Sequence, residues 1–129
     1  MNLHIAIITL LNVLLMFVAA LLVGRARGTY QIKAPAVSGQ VDFERVFRAQ
    51  QNTLEQTLMF LPTLWLAAQY GHAGYVAALG YVWLLGRTWY LFAYARDAAR
   101  RGGGFMVGML AWLGLTILCL IGIGQQLLD

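Results

Sequence analysis

Residues 3–23 read LHIAIITLLNVLLMFVAALLV, 21 positions without a charge. A helix needs about 20 apolar residues to cross the hydrocarbon of a bilayer. The stretch is too long for a signal-peptide core, no basic residue precedes it, and no clear cleavage site accompanies it. It therefore predicts a retained membrane helix that ends at Gly24 and Gly28. Composition agrees. Of the 129 residues, 60% are apolar and 11% charged, against about 25% charged in soluble domains. A disordered chain and an ordinary soluble domain are both excluded. The length permits one domain, residues 1–129. Cys119 is the one cysteine, so no internal disulfide forms. With two histidines it leaves no zinc-type ligand set, and no metal is expected.

Working outward, Thr29 to Val41 holds Pro35, Ser38 and Gly39 and reads as a loop. A second helix is predicted over about 43–70, polar in its first half, apolar in its second, with Pro62 as a kink. Gly71-His72-Ala73-Gly74 connects it to a third helix over about 75–101. Gly102-Gly103-Gly104 is expected to break that helix, and a fourth runs over about 105–127. Gly104 and Gly108 form a GxxxG pair, a pattern of close helix packing. The result is an all-α integral membrane protein, a bundle of four transmembrane helices.

The net charge of +4 resembles a nucleic-acid signal, but its distribution argues against one. All nine Lys and Arg lie between Arg25 and Arg48 or between Arg87 and Arg101. With four spans, both groups fall on one side, which the positive-inside rule places in the cytoplasm. The opposite loop, Gln69 to Gly74, carries no basic residue.

At about 100° per residue, Arg45, Arg48, Asn52, Glu55 and Met59 share one stripe of the second helix. Gln50 points roughly 200° from Arg48, toward a different neighbour. Arg87, Tyr90, Tyr94, Asp97 and Arg101 share a stripe of the third. Such stripes have a plain reading as solvated or interfacial faces, with Lys and Arg snorkelling. A purely structural Arg48–Glu55 pair is another. Arg87 lies about 18 Å into its helix, where an ionised group needs a partner or a wet cavity. Functionally, the stripes offer a site for a short acidic peptide. Arg27 and Arg48 bind carboxylates by a bidentate fork, Glu55 accepts from an ammonium, Asn52 and Gln50 pair with amides, and Tyr90 and Tyr94 add hydroxyls and rings. His4 and His72 read as interfacial residues, Cys119 as a small apolar one, and Asn12 as a packing contact.

The run Phe43-Glu44-Arg45-Val46-Phe47-Arg48-Ala49-Gln50-Gln51-Asn52-Thr53-Leu54-Glu55 closely resembles the ERVxRAQxNxxE pattern of the MAPEG family, membrane-associated proteins in eicosanoid and glutathione metabolism. Arg87-Thr88-Trp89-Tyr90-Leu91-Phe92-Ala93-Tyr94-Ala95-Arg96, followed by Arg101, is a second match. The resemblance implies a homotrimer that binds glutathione between subunits near the cytoplasmic face. It assigns Arg48, Asn52, Glu55, Tyr90 and Tyr94 to glutathione from one subunit, and Arg27 and Gln50 from its neighbour. Arg101 matches the arginine that stabilises the glutathione thiolate, and a one-residue slip would exchange it with Arg100. Thr53, Gln56 and the position of Pro62 depart from the eicosanoid-forming members, so the resemblance extends to glutathione use and stops short of leukotriene synthesis.

The resemblance thus implies a membrane-bound glutathione transferase. An arginine-stabilised thiolate attacks a lipophilic electrophile or reduces a lipid hydroperoxide, with glutathione as co-substrate and membrane lipid around it. The alternative is a non-catalytic lipid-binding scaffold of the same fold, against which the intact polar stripe argues. A small multidrug transporter would need an acidic residue in the first helix, where Thr9 and Asn12 are the polar groups. The compact chain, with no retention signal, is expected in a bacterial inner membrane.

Overall fold

The computed structural model describes residues 2–129. Its elements are α1 (Leu3–Tyr30), α2 (Val41–Tyr70), α3 (Ala73–Arg96) and α4 (Arg101–Leu128). One 3-10 turn, Ala98–Arg100, joins the last two. There is no strand among the described residues. α1 and α4 are each long and apolar enough to cross a membrane by length and composition.

Side chains cap the N-termini of the first three helices. Asn2 accepts from the His4 amide at 2.8 Å, Gln40 from the Phe43 amide at 2.8 Å, and His72 from the Tyr75 amide at 3.4 Å. Each satisfies a backbone donor that the first helical turn leaves free. Asp42 and Glu44 add negative charge to the first turn of α2, complementing the helix dipole.

The helices alternate in direction around a core with three centres. At one end Phe60 stacks on Trp83, ring centroids 3.7 Å apart, among Ile5, Ile8, Leu64 and Leu115. The middle holds Leu15, Ala19, Ala49, Tyr90 and Leu91. At the basic end Val23 and Ala26 close on Phe43. Outward, Leu10, Phe17, Leu21, Leu85, Leu110, Ile117 and Leu120 are all more than half exposed. This chain surrounds a packed interior with an apolar coat, the reverse of a soluble bundle.

Several polar groups are paired across helices. Asn12, fully buried, meets Thr57 at 3.4 Å, and Trp65 Nε1 donates to Thr9 Oγ1 at 3.0 Å. Pro62 sits inside an unbroken α2, leaving the Leu58 carbonyl without its helical donor. One residue on, the Met59 carbonyl accepts from Thr63 Oγ1 at 2.8 Å and from Trp112 Nε1 of α4 at 3.3 Å.

Helix ends differ from the sequence expectation at two places. α1 passes through Gly24 and Gly28 and stops at Gln31, whose left-handed backbone (φ 58, ψ 44) forms the cap. The glycine triplet does not break a helix. α3 stops at Arg96, because the Asp97 side chain turns back to accept from the Ala99 amide at 3.0 Å. α4 then starts at Arg101 with all three glycines inside it.

Of these, Gly103 and Gly104 are needed for close approach to α3. A Cβ on Gly104 would lie 2.7 Å from the Gly86 carbonyl oxygen and collide with the Tyr90 backbone. One on Gly86 would lie 2.7 Å from the Gly108 amide nitrogen. At Gly24 a Cβ would meet nothing. Gly104→Ala is therefore expected to lower the Tm of the detergent-purified protein, since overpacking costs about 1–3 kcal/mol. Gly24→Ala should hold or raise it through helix propensity, worth about 1 kcal/mol. Thermal melts followed by circular dichroism compare the two, and equal shifts would refute the close-approach account.

Candidate functional site

On the basic-end half of α2, Arg48, Asn52 and Glu55 follow one another at helical spacing. Arg48 Nη1 meets Glu55 Oε1 at 3.1 Å, with both side chains about half exposed. The pairing of these two residues foreseen in the sequence is thus present. Between them, Asn52 turns inward. Its Oδ1 accepts from Arg87 Nη2 of α3 at 2.9 Å, and Thr53 Oγ1 accepts from the same nitrogen at 2.9 Å. Thr53 gives its own proton to the Ala49 carbonyl at 2.8 Å, which leaves its lone pairs to the guanidinium.

Arg87 is 1% exposed and is the hub of the site. Its Cζ lies 4.0 Å from the centroid of the Tyr90 ring, while Nε is buried without a hydrogen-bond partner among the described residues. A charge at membrane depth costs about 2.5–3.5 kcal/mol on insertion scales. Two charge-assisted hydrogen bonds and a desolvated cation–π contact are together large enough to offset that. Gly108 allows α4 to close over the arginine's stem.

From Arg87 the site continues through stacked aromatic rings. Tyr90 and Tyr94 lie 5.5 Å apart with ring planes 21° from parallel, and Phe105 of α4 backs Tyr90 at 6.2 Å. Arg101, the first residue of α4, brings its Cζ to 5.5 Å from the Tyr94 ring. Contacts thus run from Asn52 through Arg87 to Tyr90, Tyr94 and Arg101, with the Arg48–Glu55 pair beside Asn52 on α2, and this candidate wall offers two guanidinium groups, a carboxylate and a phenol edge. Those groups suit a small ligand carrying carboxylates, an ammonium and amides.

Other residues of the two stripes lie elsewhere. Arg45 pairs with Asp42, and Asp97 caps the turn after α3. Arg100 lines a separate groove with Trp89 and Arg96, so the turn sends Arg100 and Arg101 to different sides. Arg27 holds its own loop, donating to the Ala36 carbonyl at 2.7 Å and the Ile32 carbonyl at 3.3 Å, with Phe43 beneath. Gln50 is half-buried on α2. Among the described residues, neither Arg27 nor Gln50 bonds to the wall within the chain. His4 bonds the Tyr81 hydroxyl at 2.9 Å, and His72 caps α3.

Arg87 is the buried hub that the sequence-derived ligand set lacks. Its depth and its place on the tyrosine stripe were legible, but its partners across the α2–α3 contact were not.

A family model described as the MAPEG family matches residues 5–121. An uncharacterized protein of Synechocystis is 47% identical over 122 residues, which cover 95% of this chain and 89% of that protein. Human microsomal glutathione S-transferase 2 is 42% identical over 110 residues, 85% of this chain and 75% of that protein. Guinea-pig (Cavia porcellus) leukotriene C4 synthase is 45% identical over 96 residues, 74% of this chain and 64% of the synthase.

Arg87→Lys keeps the charge but loses the planar fork that reaches Asn52 and Thr53 and covers Tyr90. A loss of about 1–3 kcal/mol is expected. It should appear as a lower Tm and a weaker near-ultraviolet circular dichroism from the Tyr90–Tyr94 stack. If both stay unchanged, something other than Arg87 holds Asn52 and Tyr90.

Proposed function

The chain belongs to the MAPEG family, a membrane-associated family, and on that premise we propose that it is an integral-membrane glutathione S-transferase. In this reading residues 1–129 form one domain that crosses the bilayer four times and assembles as a homotrimer. The observation that supports the proposal is the run of contacts from Asn52 through Arg87 to Tyr90, Tyr94 and Arg101, with the Arg48–Glu55 pair beside Asn52 on α2.

Each group has a role that follows from its chemistry. Arg48 binds a glutathione carboxylate through a bidentate fork. Glu55 accepts from the γ-glutamyl ammonium, and ligand binding replaces the Arg48–Glu55 pair with two intermolecular ones. Asn52 pairs with a peptide amide through its NH₂ group, since Arg87 occupies its oxygen. Tyr90 and Tyr94 form the floor. Arg27 and Gln50 reach the ligand from the neighbouring subunit.

Arg101 faces the sulfur. A thiol titrates near pH 8.5 unaided, and the thiolate is the nucleophile. An adjacent guanidinium stays charged across this range and favours the thiolate, so more of it is present at neutral pH. The thiolate then forms a C–S bond to a lipophilic electrophile and expels its leaving group. With a lipid hydroperoxide it is oxidised instead, and a second glutathione completes the disulfide as the hydroperoxide becomes alcohol and water. No metal takes part in either route. The basic end faces the cytoplasm, where glutathione is made, in a bacterial inner membrane.

Glutathione titrated into the purified protein should give a saturable near-ultraviolet thiolate band at neutral pH. Arg101→Ala should lose that band while still binding glutathione. Its turnover with an aryl halide should fall at neutral pH and recover as pH rises toward about 8.5, the thiol's own pKa. Arg100→Ala should keep the band. Full turnover of Arg101→Ala at neutral pH would refute its role. Absence of both thiolate and conjugation in the wild type would favour the lipid-binding scaffold.

Subunit sharing has its own test. Arg27→Ala and Arg48→Ala should each be inactive alone. Co-expressed, they should regain part of the activity, because mixed trimers contain interfaces with both arginines intact. No recovery, with mixed trimers confirmed by mass, would show that Arg27 and Arg48 do not meet across a subunit interface.

A further inference from the structure

Away from the candidate wall, α3 carries two grooves that meet at Thr88. The first encloses about 620 Å³ between α3 and the start of α4, with Trp89 and Phe92 along it and Arg96 and Arg100 at its end. The second, about 370 Å³, runs on between α1 and α3 past Val18 and Leu85. Thr88 gives its proton to the Leu84 carbonyl at 2.8 Å, so the junction presents a methyl group and no free donor. Phe92 and Arg96 point roughly 200° from Tyr90 and Tyr94, so this track is separate from the wall described above.

We propose that the two grooves form one binding site for an anionic phospholipid of the surrounding bilayer. Its phosphate sits between Arg96 and Arg100, and one acyl chain lies over Trp89 and past Thr88 toward Leu85. The length fits: Arg96 to Leu85 spans about 16 Å at the helical rise, close to half of a hydrocarbon core about 30 Å thick. The charge fits as well. Asp97 is the acidic group beside the pair, and it stands 4.0 Å from Arg100 Nε with both side chains more than half exposed. One carboxylate against two guanidinium groups leaves net positive charge, on the membrane side where basic residues meet anionic headgroups. The floor is kept open by sequence: a Cβ on Gly103 would strike the Trp89 indole, and one on Gly102 would meet nothing. Trp89 and Phe92 are 53% and 42% exposed, apolar surface positioned for a lipid chain.

The test uses Trp89 as reporter. The full-length protein in mixed micelles is titrated with phosphatidylglycerol or phosphatidylcholine brominated on the acyl chains, since bromine quenches an indole on contact. Subtracting the quenching of Trp89→Phe isolates the Trp89 signal. Phosphatidylglycerol should reach half-maximal quenching at roughly a tenth of the mole fraction that phosphatidylcholine needs, given two arginines at the headgroup. Arg96→Gln combined with Arg100→Gln should abolish that preference while leaving the phosphatidylcholine curve and far-ultraviolet circular dichroism unchanged, which shows that the variant is folded. Equal mole fractions in the wild type, or a preference that survives the double substitution, would overturn the proposal. So would a brominated fatty acid that quenches Trp89 where phosphatidylglycerol does not, because the occupant would then be a free carboxylate amphiphile.

Discussion

The guanidinium of Arg87 is the constraint around which this bundle is organised. It lies inside an apolar helix cluster, where an unpaired charge would be prohibitive. Its two acceptors come from α2, its aromatic partner from its own helix, and its cover from a glycine of α4. Three helices are therefore fixed in register by one side chain. The same contacts orient Asn52 and Tyr90, both on the candidate wall. The arginine contributes no surface to a ligand, yet it sets the geometry of groups that do.

A second constraint acts at the α3–α4 contact. Gly86 and Gly104 bring the two backbones closer than any side chain would permit, and Gly108 makes room for the stem of Arg87. Membrane helices lack a hydrophobic force that draws them together, so contact of this kind is a main source of their cohesion. It also determines what the turn between them presents. With the triplet committed to α4, the chain reverses at Asp97 to Arg100, and the consecutive arginines 100 and 101 diverge. One joins the tyrosine wall, the other the groove along Trp89. Two separate sites of positive charge arise from one reversal of the chain.

Elsewhere, polar side chains between the helices find partners within the bundle, as lipid surroundings require. Asn12 with Thr57, Trp65 with Thr9, and Trp112 with the carbonyl beside Pro62 each tie one helix to another. Around these ties lies an apolar exterior, consistent with a chain of the MAPEG family and with relatives that include a microsomal glutathione S-transferase. The candidate wall lies at the basic end of that frame.

Much of this was legible in the residues. The uncharged run from Leu3 to Val23, the turn signals, and the segregation of every basic residue to one side determine a helical membrane protein with a positive face. Helical spacing places Arg48, Asn52 and Glu55 on one stripe and Arg87, Tyr90 and Tyr94 on another, and the ERVxRAQxNxxE run is enough to suggest the family. These are local properties, and a helix of known period converts them directly into faces. Partnership is not local. That Arg87 bonds Asn52 and Thr53, that Arg27 holds its own loop, and that the glycine triplet belongs inside α4 depend on how far apart two helices stand and at what rotation. Only tertiary packing sets those distances, because a hydrogen bond fails over less than an ångström while the hydrophobic pattern tolerates several.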